Sequence, residues 1–218
     1  LKAFIDGTLG SGTALMFEPF ADAPNQSGLP QYSEQEFYEL IDQAYAHGFQ
    51  VGTHAIGDKG VNWVLNAIEK AQKKHGQKNL RYRIEHAQII KPEDIKRFKE
   101  LRVIASMQPT HCTTDMRFCE QRIGSERSKY AYAWRSLLDA GASLAFGSDW
   151  PVEPLDPRRG LYSAVTRKNI EHDYPDGGWF PEQRLSLAEA IQCFTSGSAY
   201  ASFEEKLNSQ LNNLNGQK

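Results

Sequence analysis

Three histidines and an aspartate each stand just past a short apolar run: His54 in THAIGD, His86 in RIEHAQ, His111 in MQPTH and Asp149 in FGSDWP. Imidazole nitrogen and carboxylate oxygen bind zinc and similar divalent ions at about 2.0–2.2 Å. The same groups can also move protons at neutral pH. Taken singly, each has a plainer use. An aspartate after a strand can cap a helix, close a turn, bind a metal or take a proton. A lone histidine there is more often a hydrogen-bonded structural residue. Asp6 and Asp58 adjoin Gly7 and Gly57 and can serve turns. Lys2 sits among apolar neighbours; buried there it would lose its proton easily, while at the surface it would not. His47 and His75 fall at helix ends, where a cation suits the dipole.

What gives the set meaning is the order of elements around it. Apolar runs at Leu1–Ile5, Phe49–Thr53, Arg81–Ile84, Val103–Met107 and Ser143–Ser148 read as strands. Helices are expected from Ser33 to His47, over 60–74, from Pro92 to Leu101, Ala131 to Ala140, Pro157 to Arg167 and Leu187 to Ala201. Residues 8–32 and 108–128 read as long loops. Strands alternating with helices at these spacings imply βα units and a parallel α/β sheet. Strands that run parallel place Asp6, His54, Asp58, Glu85, His86, Gln108, His111 and Asp149 at one edge of that sheet. In α/β folds this edge carries the chemistry. Two histidines and an aspartate on separate strand tips therefore suggest N/O ligation of a divalent metal.

Composition narrows the alternatives. The 218 residues carry a formal charge of −2, with 40% hydrophobic and 24% charged residues. This is the balance of a soluble globular protein and gives no electrostatic case for nucleic acid or a membrane surface. No stretch approaches the roughly 20 apolar residues of a membrane span. Three cysteines make no disulfide framework, which points to the cytoplasm, although Cys112 and Cys119 could still pair or bind metal.

The blocks KAFIDGTLGSGTA, THAIGDKGV, RIEHAQ, ASMQPTH and AYAWRSLLDAGASLAFGSDWPVEPLDP resemble the amidohydrolase superfamily, in its order and spacing. They are most similar to the metal-dependent branch that includes N-substituted formamide deformylases. GSDWP after a LLDAG helix is the most diagnostic block. The resemblance implies part of a (β/α)8 TIM barrel, its strands four to eight, over residues 1–206, followed by a polar tail at 207–218. It implies that Lys2 matches a lysine often carbamylated between two metals. It implies that His54 and His86 are metal ligands, and that Asp149 binds metal and the attacking water. The cofactor would be one or two divalent ions, zinc foremost.

On that resemblance the reaction is hydrolysis of an amide-like C–N bond in a small-molecule substrate, by the chain alone or as a homo-oligomer. Asp149 would take a proton from water and pass it to the leaving amine. His111 would orient substrate or stabilise an oxyanion. Asp6, Asp58 and Glu85 would support the ligands, and Arg122 would shape the pocket. The family's strand-one His-x-His pair is not among these residues, so the chain is expected to be a fragment with little activity of its own. A non-catalytic scaffold is the alternative. A phosphate-binding barrel is weaker, because no glycine-rich cradle follows a strand.

Overall fold

The computed structural model describes residues 1–206, so the tail expected at 207–218 lies outside the described residues. Strands β1 (Lys2–Phe4), β2 (Gly52–Ala55), β3 (Arg83–His86), β4 (Ile104–Met107) and β5 (Ser143–Phe146) form one parallel sheet in sequence order. Helices α1 (Glu34–Ala46), α2 (Asp58–His75), α3 (Pro92–Glu100), α4 (Pro109–Ser128) and α5 (Trp134–Asp139) connect them. After β5 come α6 (Pro157–Thr166), a 3-10 turn (Pro181–Gln183), α7 (Leu187–Gln192), a π-helical turn (Cys193–Gly197) and α8 (Ser198–Ala201).

The register sorts each strand into two faces. Ala3, Thr53, Ile84, Ala105 and Leu144 are in register and all buried. They meet the apolar stripes of the helices, such as Phe37 and Ile41 of α1 and Val64, Leu65 and Ile68 of α2. Burying each such side chain stabilises the fold by about 1.5–3 kcal/mol. The next row, Phe4, His54, Glu85, Ser106 and Ala145, faces the other way. On that face α8 packs Ala201 and Tyr200 against Ile104 and Ala145.

Several boundaries differ from the sequence reading. β2 and β3 begin two or three residues later than expected and end two residues later, and the later ends bring His54, Glu85 and His86 into the strands. Phe49 still belongs to the exit from α1, its N–H bonding Ala44 O behind Gly48 at φ 76°. Arg81 has φ 51°, which a strand cannot use. β5 ends at Phe146, so Asp149 lies three residues past the strand instead of at its tip.

The largest correction is α4. Residues 109–128, expected as loop, form a helix with Pro109 in its first turn and a kink at Gly124, φ 77°. Cys112, Cys119 and Ile123 give it a buried stripe, with Met116 partly covered between them. The stripe was masked by Thr, Cys and charged residues that carry little hydrophobic signal. All three cysteines are buried free thiols, so no Cys112–Cys119 pair forms. Among the described residues no helix is long and apolar enough to cross a membrane.

Candidate metal centre and active-site pocket

The strand ends open into a cavity of about 580 Å³. Lys2, Phe4, His54, His86, His111 and Asp149 all line it, together with the Thr8–Gly10 loop and the exposed face of α4. The centre of this pocket is a run of three imidazoles. His54 and His86 stand edge to face with ring centroids 4.6 Å apart. His86 and His111 lie nearly parallel at 5.7 Å.

Each ring is held differently. His54 Nε2 hydrogen-bonds Gly7 O at 2.9 Å, which fixes the ring and commits that nitrogen. The same atom is 3.5 Å from Asp6 Oδ1. Burial pushes the Asp6 carboxyl up to about 7 despite its backbone hydrogen bonds. Burial likewise pushes His54 down. The 3.5 Å contact is therefore not a strong ion pair.

His86 ends β3. In strict alternation it would share the face of Ala55, away from His54. Its φ of 73° breaks the pleat and marks a strained site. It is 8% exposed. Burial first, then His54, His111 and Lys2, push its pKa down to about 3, so the ring is neutral at pH 7 and keeps a free lone pair. Its Nδ1 is buried without a hydrogen-bond partner. His111 sits in the first turn of α4, not at a strand tip, and its Nε2 is likewise buried and unpartnered.

Asp149 is exposed at the mouth with φ 58°. One ligand atom from each of His86, His111 and Asp149 lies within 4.8 Å of the others. Two imidazole nitrogens without partners among the described residues and one carboxylate are the donor set that a divalent transition ion accepts, so the residues fit a metal. Lys2 lines the same cavity but is exposed, its Nζ 5.2 Å from the Phe4 ring centroid. Of the two environments open to Lys2 in the sequence, buried or at the surface, the structure has the surface one, on the open inner face of β1.

The expected supporting residues divide. Asp6 ties the strand tips together, accepting N–H groups from Leu15, Ile56 and Gly57 at 2.8, 3.1 and 2.8 Å. Gly57 is required at this junction, since a Cβ there would fall 2.1 Å from Leu15 O. Glu85 does not reach His86; it pairs with Arg83 at 2.9 Å on the inner face. Asp58 is the first residue of α2 and accepts from Phe17 N, facing a different cavity with Lys91 and Arg127. Arg122 is not in the pocket, but it holds Leu9 O and Gly10 O at 3.1 and 3.3 Å and Asp22 at 2.9 Å. It thereby anchors the loop that forms one wall.

Some pocket residues were not foreseen. Thr114, Asp115 and Phe118 follow His111 by three, four and seven positions and share its helical face. That spacing would have revealed them had α4 been read as a helix. Asp115 accepts from Gln88 and from Tyr132 OH, each at 2.8 Å, and burial raises its pKa. Glu153 accepts from Thr114 at 2.8 Å across the mouth.

Comparison with known proteins bears on this site. Residues 1–212 match the model of a family described as amidohydrolase family. The putative amidohydrolase YtcJ of Bacillus subtilis is 38% identical over 94% of this chain and 38% of its own length. Protein LONG AFTER FAR-RED 3 of Arabidopsis thaliana is 39% identical over 93% of this chain and 34% of its own. The crystal structure of an uncharacterized metal-dependent hydrolase from Pyrococcus furiosus superposes with a TM-score of 0.80 at 36% identity, covering 94% of this chain and 40% of that one. The N-substituted formamide deformylase of Arthrobacter pascens is more distant, 25% identical over 78% of this chain. The chain thus spans little more than a third of the length of the curated relatives first matched.

Proposed function

Because the chain belongs to the amidohydrolase family, we propose that it carries the metal-binding half of a hydrolase that splits an amide-like C–N bond of a small molecule with water. The observation that carries this reading is the group His86, His111 and Asp149, with two buried imidazole nitrogens that have no partner. The expected fold detail, strands four to eight of an eight-stranded barrel, goes with the proposal. It is supported by a sheet whose edges, β1 and β5, are unpaired among the described residues, beside exposed Leu1, Phe4, Trp150 and Val152.

His86 and Asp149 would hold the ion, zinc or a similar divalent metal. Lys2 and His54, the other ligands that the resemblance implies, line the same cavity. A bound divalent ion supplies Lewis acidity and lowers the pKa of water toward about 7. The protein's own groups do the rest. Asp149 accepts a proton from the attacking water and returns it to the leaving nitrogen as the C–N bond breaks, giving a carboxylic acid and an amine. Phe4, Phe118 and Val152 offer apolar surface to the substrate, while Lys2, Arg117, Asp115 and Glu153 line the rest of the pocket with charges of both signs.

The test is release of amine from a panel of N-acyl and N-formyl amines by the full-length protein with zinc. Turnover that chelation abolishes and zinc restores is expected. Turnover insensitive to chelation, or none across the panel with zinc bound, would reject the reading.

A further inference from the structure

We propose that a second cavity, across α4 from the strand ends, is a further compartment of the substrate site, and that it takes an aromatic group carrying a carboxylate, which Arg117 binds. The proposal rests on the hydrolase reading above and names what the substrate carries remote from the bond that is split.

Helix α4 stands between two cavities. The strand-end cavity meets it along His111, Thr114, Asp115 and Phe118. The second cavity, of about 730 Å³, meets it along Thr113, Met116 and Glu120. Thr114 and Arg117, one turn apart, line both. At about 100° per residue these two positions fall on the crest between the two faces. From His111 to Arg117 the helix rises about 9 Å. A molecule of that length spans from the strand ends over the crest.

The far wall of the second cavity is built in advance. Trp179 is only 7% exposed, and its indole N–H donates to Glu120 Oε1 at 3.0 Å. Behind it Arg167 is fully buried and donates to Trp179 O and, at 2.9 Å, to Tyr132 O. The Arg167 guanidinium also lies 5.3 Å from the centre of the Trp179 ring. Met116, Tyr174 and Pro175 complete an apolar and aromatic lining. Size and lining are those of a small-molecule site, and such surfaces favour a flat ring.

The charge on the crest sets what the ring should carry. Arg117 is exposed, and its one contact is the Phe118 ring at 5.7 Å; among the described residues it has no hydrogen bond or ion pair. Glu120, the one acidic residue among those lining the second cavity, already accepts from Trp179. On the strand-end side Glu153 already accepts from Thr114. The crest therefore presents an unpaired guanidinium, whose planar fork suits the two oxygens of a carboxylate.

The probe is hydrocinnamate, with hydrocinnamyl alcohol as its uncharged counterpart, added to full-length protein carrying ¹³C at the methionine methyls. Met16 and Met107 are buried elsewhere, and Met116 lines the cavity. The acid should shift the Met116 signal, assigned with Met116→Leu, and leave those of Met16 and Met107 in place. The alcohol should bind about tenfold more weakly, as expected for the loss of one charge-assisted pair. Arg117→Ala removes no buried atom from the core. It should bring the acid to the affinity of the alcohol without changing that of the alcohol, and Arg117→Lys should recover part of the loss. With zinc present, hydrocinnamate should inhibit amide turnover competitively. An unmoved Met116 signal, equal binding of acid and alcohol, an Arg117→Ala variant that keeps the preference, or inhibition that is not competitive would overturn the proposal. The binding is read without metal or turnover, so its failure leaves the hydrolase reading standing. Absence of turnover across the amide panel, with the Met116 response intact, would reject that reading and with it the cavity's place in a substrate site.

Discussion

The His86 ring stands edge-on to His54 at 4.6 Å, yet its buried Nδ1 has no hydrogen-bond partner. A purely structural histidine would be expected to satisfy that atom. The arrangement therefore trades stability for function. His86→Phe keeps a ring at this position and removes the orphaned nitrogen. In metal-free protein it should melt no lower than the wild type and gain up to about 2 kcal/mol. It should also lose the rise in melting temperature that Zn²⁺ gives the wild type. A marked fall in metal-free stability would show that the ring is structural.

Asp149 is the proposed proton carrier. In the full-length protein, Asp149→Asn should lower kcat by about 10²–10⁴-fold with little change in KM. A rate within a few-fold of wild type, with metal still bound, would assign the proton transfer elsewhere.

Asp6 carries the junction between β1, the 8–32 loop and α2 through its three backbone N–H groups. Asp6→Ala would leave those donors buried. The expected loss is about 3 kcal/mol by urea unfolding, with Asp6→Asn losing less because its amide oxygen still accepts. Equal losses in the two variants would contradict this account.

The pH dependence of the contact between α5 and α7 can be signed from Glu189. Arg135 first, then Ser186, hold its carboxyl down to about 2, while the group remains largely solvated. A carboxylate whose pKa falls on folding stabilises above its unfolded value and loses that contribution as pH drops. Wild type should thus exceed Glu189→Gln by about 1 kcal/mol or less at pH 7. The gap should close between about pH 4.5 and 2. A gap that persists at pH 2 would mean that the ion pair is not its source.

How much of this was legible in the sequence depended on what each signal measures. Apolar runs located five strands and their parallel order, because the helix-facing side of every strand is buried. They did not fix strand limits: apolar residues continue into exposed Phe49, at the exit from α1, and into buried Tyr82, beside left-handed Arg81. The site histidines were visible because each follows an apolar run. The left-handed conformations of His86 and Asp149, which break from the strands, leave no mark in a residue type other than glycine. Helix α4 was hidden because its buried stripe is made of two cysteines, a methionine and a single isoleucine. With it went Asp115, Thr114 and Phe118. The pairing of Glu85 with Arg83 follows from strand alternation once β3 is extended to His86, since residues two apart share a face.

The central claim is that the strand ends hold a catalytic metal, and the most direct measurement is anomalous diffraction at the zinc absorption edge from crystals grown with Zn²⁺. The account predicts a peak in the cavity, within about 2.0–2.2 Å of nitrogen from His86 and oxygen from Asp149. A zinc peak confined to surface groups such as His75 and Asp42, with none beside His86, would contradict it.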